Sequence, residues 1–201
     1  YPGTKFTSDV FSMWNYTNLF GSWNHSVFQA PGCWVDAAHR NGTDIMSGIK
    51  FFESWTAGSG AGNWCALIST KNADGTYKYT KALINILMYF GFDGINYNFE
   101  DTGYSNADVV AFHKSLYKEA AAQGFDNFHI GIYTANSSLS AAYKDALFGT
   151  TDTGKTADLM LNYSGGNFTS TNAMRSSVQT AEAAMGTCEG LYTGVWFVNM
   201  D

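Results

Sequence analysis

The chain has 201 residues, 45% of them hydrophobic, and a net charge of −6 from 11 Lys and Arg against 17 Asp and Glu. This is enough apolar material for one packed domain and excludes a disordered chain. The cations are scattered singly, so no basic patch exists to grip nucleic acid, and no apolar run reaches the ~18 residues of a membrane span.

In chain order, the first strand-like segment is 10–17, a short run rich in aromatic and β-branched residues. A helical pattern over 33–40 ends at Asn41-Gly42, a suitable C-terminal cap, and leads to a strand over 44–52. Residues 79–90 place Ala82, Ile86 and Tyr89 at helical spacing and stop at Gly91. A strand over 94–100 precedes a helix over 106–123, for which Asn106 is the expected N-cap. Strands over 128–134, 158–163 and 191–198 alternate with helices over 140–147 and 171–185.

This alternation, with no hairpin signals, predicts an α/β fold on a parallel sheet. No Gly-x-Gly-x-x-Gly follows a strand, which removes the main support for nucleotide binding. Six strands suit either a doubly wound sheet or most of an eight-stranded barrel, which usually takes about 250 residues. Cys33, Cys65 and Cys188 have no metal-type spacing. They leave open one disulfide with a free thiol, or three buried thiols. Aromatics reach 16% against 14% charged residues, a balance that suits stacking on the C–H faces of sugar rings as well as a filled core. Tyr1-Pro2-Gly3 shows neither a starting Met nor a signal-peptide pattern.

The stretch that carries chemistry is Gly91-Phe92-Asp93-Gly94-Ile95-Asn96-Tyr97-Asn98-Phe99-Glu100-Asp101. At the two-residue period of a strand, Asn96, Asn98 and Glu100 share one face, and Ile95, Tyr97 and Phe99 the other. Three polar side chains in a row on an inward face are costly unless they meet a ligand or one another. Glu100 falls at the C-terminal end of its strand, where barrel enzymes place catalytic groups. The bland alternative is that Glu100 and Asp101 cap the following helix.

Phe92-Asp93-Gly94-x-x-x-Asn98-x-Glu100 resembles the fourth-strand signature of the family 85 endo-β-N-acetylglucosaminidases. It is also similar to the Asp-Gly-x-Asp-x-Asp-x-Glu signature of family 18 chitinases, but Asn96 and Asn98 stand where the later aspartates would be. Trp34-Val35-Asp36-Ala37-Ala38-His39-Arg40-Asn41-Gly42 and the strand ending at Glu53-Ser54-Trp55 resemble the second helix and third strand of family 85. Ile132-Tyr133 and Leu161-Asn162-Tyr163 resemble the ends of its fifth and sixth strands. The chain departs from the family at Asn96, where an apolar residue is usual, and at Gly194-Val195-Trp196-Phe197. The family's first and eighth strands are not evident.

The resemblance implies a (β/α)8 barrel, incomplete in this chain, with residues 1–201 as one catalytic domain of a longer protein. It implies substrate-assisted retaining hydrolysis of the GlcNAc-β-1,4-GlcNAc core of an N-linked glycan, with no cofactor and no metal. Glu100 would be the acid/base and Asn98 its partner at the substrate's acetamido group, with their Cα atoms about 6.6 Å apart. The role needs a protonated carboxyl at rest, and Phe99 and Tyr97 are the expected apolar neighbours. Tyr133 is a candidate for the acetamido oxygen or the attacking water. Glu53, Trp55, Asn96, Asn162 and His25 are candidate sugar contacts. His39, near a helix end, reads as structural, and Trp14 and Trp196 as core. The expected location is extracellular, periplasmic or at the cell surface. A chitinase-like hydrolase and a non-catalytic glycan binder are the alternative readings.

Overall fold

Runs such as Ile130-Gly131-Ile132-Tyr133 are apolar on both sides, as strands are when helices cover one face of a parallel sheet and a barrel interior the other. The computed structural model describes residues 11–21, 30–49, 66–100, 104–163 and 171–195. A 3₁₀ turn at Trp14–Tyr16 leads into β1 (Leu19–Gly21), α1 (Gly32–Arg40) and β2 (Asp44–Gly48). Next come α2 (Ala66–Ser69), α3 (Thr80–Phe90), β3 (Gly94–Phe99), α4 (Asn106–Ala122) and β4 (His129–Thr134). The remainder is α5 (Ala141–Tyr143) with a π-helical turn (Lys144–Phe148), β5 (Gly149–Thr150), β6 (Gly154–Lys155), β7 (Asp158–Leu161), α6 (Thr171–Met185) and β8 (Leu191–Thr193).

Six strands pair in parallel in the order β1-β2-β3-β4-β7-β8 and curl into a half-barrel. Their order follows the chain, whereas a doubly wound sheet reverses direction at a central switch point. The fold is therefore an incomplete (β/α)8 barrel. The outer face of the sheet supplies Ile45, Ile95, Ile130, Ile132 and Leu159 to the core. Val35 of α1, Leu83 and Leu87 of α3, and Phe112 and Leu116 of α4 pack over them.

Asp93 and Gly94 explain how the central strand is seated. Asp93 is 7% exposed. Its Oδ2 accepts from the Ile45 backbone N–H at 2.8 Å and bonds His39 Nε2 at 2.7 Å, while Oδ1 accepts from Asn127 Nδ2 at 2.9 Å. One carboxylate thus ties α1, β2 and the approach to β4 to the start of β3, and His39 is structural. At Gly94 an added Cβ would stand 2.1 Å from the His129 carbonyl oxygen, so no side chain fits. These two positions of the signature are architectural.

Several expectations change. Of the strand expected over 10–17, the described residues 11–17 form none: Phe11, Trp14, Phe20 and Trp34 gather with ring centroids 4.6–6.0 Å apart, and the chain turns to bring them together. Pairing begins only at Leu19. In α3 the buried stripe is Thr80, Leu83, Ile84 and Leu87, and Ala82, Ile86 and Tyr89 lie on the exposed side. The N-cap of α4 is Ser105, whose hydroxyl accepts from the Asp108 N–H at 3.2 Å, because Asn106 already has helical geometry. A hairpin is present after all: β5 and β6 pair antiparallel across 151–153, helped by Gly154 at φ +73°. Cys33 is an exposed free thiol and Cys188 a half-buried one, so three buried thiols are excluded.

The N-terminal end of the sheet's inner face carries charge. His129 Nδ1 lies 2.9 Å from Asp158 Oδ2 and Nε2 lies 3.1 Å from Asp44 Oδ2, which only an imidazolium can satisfy at both nitrogens. Lys155 pairs with the other oxygen of Asp158. The hydrogen bond to Asp158 is the main force raising the His129 pKa above 6.5. Burial pushes the Asp158 carboxyl up, but the hydrogen bond to His129 and the Lys155 charge outweigh it and leave it below 3.8. The stability contributed by His129 is present in full below its unfolded-state value and is lost as pH rises through the raised folded value. That contributed by Asp158 is present above its unfolded-state value and is lost as pH falls through the lowered one. His129→Gln should therefore lower the melting temperature by several degrees near pH 5.5, and by much less near pH 9. Thermal melts of both proteins at the two pH values check this.

Candidate active site

On β3 the burial alternates as the two-residue period requires. Ile95, Tyr97 and Phe99 are buried against the helices, Asn96 and Asn98 are half-buried on the inner face, and Glu100 is exposed at the strand's end. Phe99 and Tyr97 therefore point away from Glu100 and are not its apolar neighbours. Asn98 Nδ2 donates to Glu100 Oε2 at 3.0 Å. The Oδ1 atoms of Asn98 and Asn96 are shielded from water and have no partner among the described residues. A buried acceptor in that state costs about 1–3 kcal/mol until a donor reaches it.

A cavity of about 610 Å³ opens along the inner face, lined by Glu100, Asn96, Tyr133, Tyr163, Met160 and Tyr192 among others. Asn98 is tied to its wall through Glu100. Asn96 is seated between two glycines of other strands. A Cβ on Gly21 would meet its amide at 3.2 Å, and one on Gly131 would meet Met46 Cε at 2.7 Å. The two glycines thus make room for the Asn96 amide and the Met46 side chain on the inner face.

Strand register sets Tyr133 directly beside Asn98 on the same face. Tyr133 is 7% exposed, and its ring stacks on Tyr163 at 6.1 Å and 23°. Burial first, then the Glu100 charge and Tyr163, hold its hydroxyl well above the ordinary tyrosine value. It therefore keeps its proton and remains a donor. Burial and then the same Glu100 charge also raise Tyr143 of α5. A carboxylate, an amide and a protonated phenol thus meet at one end of the half-barrel, a set able to deliver a proton and orient an amide-bearing ligand.

The other candidates are placed as follows. Asn162 is 9% exposed, with its backbone N–H bonded to the Asn136 carbonyl at 2.8 Å. Trp14 packs on the core beside Phe20 and Trp34. Glu53, Trp55, His25 and Trp196 lie outside the described residues. Tyr163, Met160 and Tyr192, which line the cavity, were not foreseen as site residues. Tyr163 had a local signal, one position beyond Asn162. Among the described residues, no group of three or more His, Cys, Asp or Glu is placed to hold a metal ion, and no helix is long and apolar enough to cross a membrane.

Comparison with known proteins gives one family model, described as glycosyl hydrolase family 85, which matches residues 2–196. Among curated proteins, the chain is 30% identical over 93 residues to a cytosolic endo-beta-N-acetylglucosaminidase of Gallus gallus. It is 29% identical over 93 residues to that of Mus musculus. Each match covers 46% of this chain and only 12% of the relative. Both relatives are described as cytosolic, which overturns the extracellular, periplasmic or cell-surface location expected from sequence.

Proposed function

The chain belongs to glycosyl hydrolase family 85, and on that premise we propose that it carries the catalytic pair of an endo-β-N-acetylglucosaminidase. The substrate is the GlcNAc-β-1,4-GlcNAc core of an N-linked glycan. One observation carries the reading: the 3.0 Å contact between Asn98 and Glu100 on the cavity side of β3, with Tyr133 alongside. The relatives' described activity supports it.

Catalysis is assisted by the substrate. Its 2-acetamido oxygen attacks the anomeric carbon as the bond to the leaving oxygen breaks, and Glu100 gives that oxygen a proton. The acetamido N–H grows more acidic as the oxazolinium ring forms, and the Oδ1 of Asn98, unpartnered among the described residues, accepts its hydrogen bond. The protonated Tyr133 hydroxyl orients the acetamido oxygen. Water then attacks the same carbon from the side the leaving group vacated, Glu100 takes its proton, and the ring opens with retained configuration.

Asn96, Asn162, Glu53, Trp55 and His25 remain proposed sugar contacts, and residues 1–201 a proposed part of a longer protein's catalytic barrel. Incubation with a high-mannose glycopeptide and with chitin oligomers tests the reading. The expected result is a peptide keeping one N-acetylglucosamine while the oligomers stay intact. Preferential cutting of the oligomers favours the chitinase-like alternative, and binding without any product favours a non-catalytic glycan binder.

A further inference from the structure

On the face of β3 opposite Asn98 and Glu100, a polar pair sits inside an apolar core. The Tyr97 hydroxyl, on a residue 3% exposed, bonds Nε2 of His113 on α4, which is 0% exposed. Burial pushes the His113 pKa down to about 3, against a weaker opposing pull from the Thr156 backbone. Burial also raises the Tyr97 hydroxyl well above its ordinary range. Both groups are therefore neutral at working pH, so the hydroxyl donates, Nε2 accepts, and the ring proton sits on Nδ1.

The surroundings are rings. Phe99 stands 6.4 Å from Tyr97, Phe112 stands 6.5 Å from His113, and Tyr77 packs edge-on against Phe112 at 5.3 Å. In such a core an apolar pair of the same volume would pack as well, without the cost of removing two polar groups from water. What a directional bond adds is register. A strand that slips by one residue exchanges its two faces, and here that would carry Asn98 and Glu100 from the cavity into the core. A bond between one strand residue and one helix residue admits a single height and a single roll of β3 against α4.

We propose that Tyr97 and His113 are positioning residues for the Asn98–Glu100 pair, holding β3 so that Asn98 stays beside Tyr133 and within reach of Glu100. This rests on the catalytic reading above. A misplacement on the order of 1 Å can cost about a hundredfold in rate. Tyr97→Phe should lower kcat about tenfold or more while KM stays within about twofold. Because neither group titrates near neutrality, the loss should be the same from about pH 5 to pH 8.

The discriminating protein is the double variant Y97F/H113L, which removes both partners of this bond, so that neither the hydroxyl nor Nε2 is left without the other. Its melting temperature should return close to that of the wild type while kcat stays low. His113→Gln, which keeps an accepting oxygen, should retain more kcat than His113→Leu and serves as the second variant if the double does not fold. A double variant with wild-type melting temperature and wild-type kcat overturns the inference, as does Tyr97→Phe with a lowered melting temperature and unchanged kcat. A wild-type chain that cuts no glycopeptide overturns the underlying reading instead, and this inference with it.

Discussion

Glu100→Gln is expected to lower kcat on an N-linked glycopeptide by about a thousandfold or more, with substrate binding retained. The substitution keeps the size of the side chain and an oxygen that can still accept from Asn98 Nδ2. Glu100 is exposed at the end of β3 and carries no part of the core, so the fold should be untouched. What disappears is the transferable proton. General acid–base catalysis contributes about 10²–10⁴-fold, and here one group serves twice, first on the leaving oxygen and then on water. Single-turnover kinetics on the purified variant, with binding measured separately by calorimetry, separates chemistry from affinity. Full activity in Glu100→Gln would remove Glu100 from the mechanism.

Asn98→Ala is expected to reduce hydrolysis by about 10²–10³-fold, the range for loss of one transition-state hydrogen bond, while sparing use of a preformed sugar oxazoline as donor. The logic separates two halves of one reaction. Asn98 acts while the acetamido group closes on the anomeric carbon, and the oxazoline enters after that step. The variant also frees Glu100 Oε2 from its 3.0 Å donor, but the carboxylate can still take a proton from an acceptor or from water. Equal loss with glycopeptide and with oxazoline, in a protein that melts like the wild type, would mean that Asn98 does not act at ring closure.

The polar row was legible because β3 obeys a strict period: each apolar residue from Ile95 to Phe99 faces the helices, and each alternate position is Asn or Glu. The βα alternation was legible for a related reason, since parallel strands buried on both sides read as apolar runs. β1 was misplaced because Phe11, Trp14 and Phe20 cluster through a turn, and an aromatic run carries no sign of whether it folds back. The helical spacing in α3 was legible but not which face packs, because both sides are apolar, with Ile86, Met88, Tyr89 and Phe90 exposed and Leu83 and Leu87 buried. No single stripe stands out in such a helix. The tyrosines near Glu100 depended on pairings between distant segments. Tyr163 meets Tyr133 only because β7 runs beside β4 in one register. The location was misjudged for a different reason: glycan chemistry alone does not fix a compartment.

The central claim is that the Asn98 amide and the Glu100 carboxyl serve one amino sugar. A crystal structure of the protein with a thiazoline analogue of the oxazoline, in which sulfur replaces the ring oxygen, measures this directly. The account predicts the analogue's ring nitrogen within about 3 Å of the Asn98 amide and the Glu100 carboxyl beside the anomeric carbon, in the cavity lined by Asn96 and Tyr133. An analogue seated elsewhere, or held in that cavity with either group beyond hydrogen-bond reach, would contradict it.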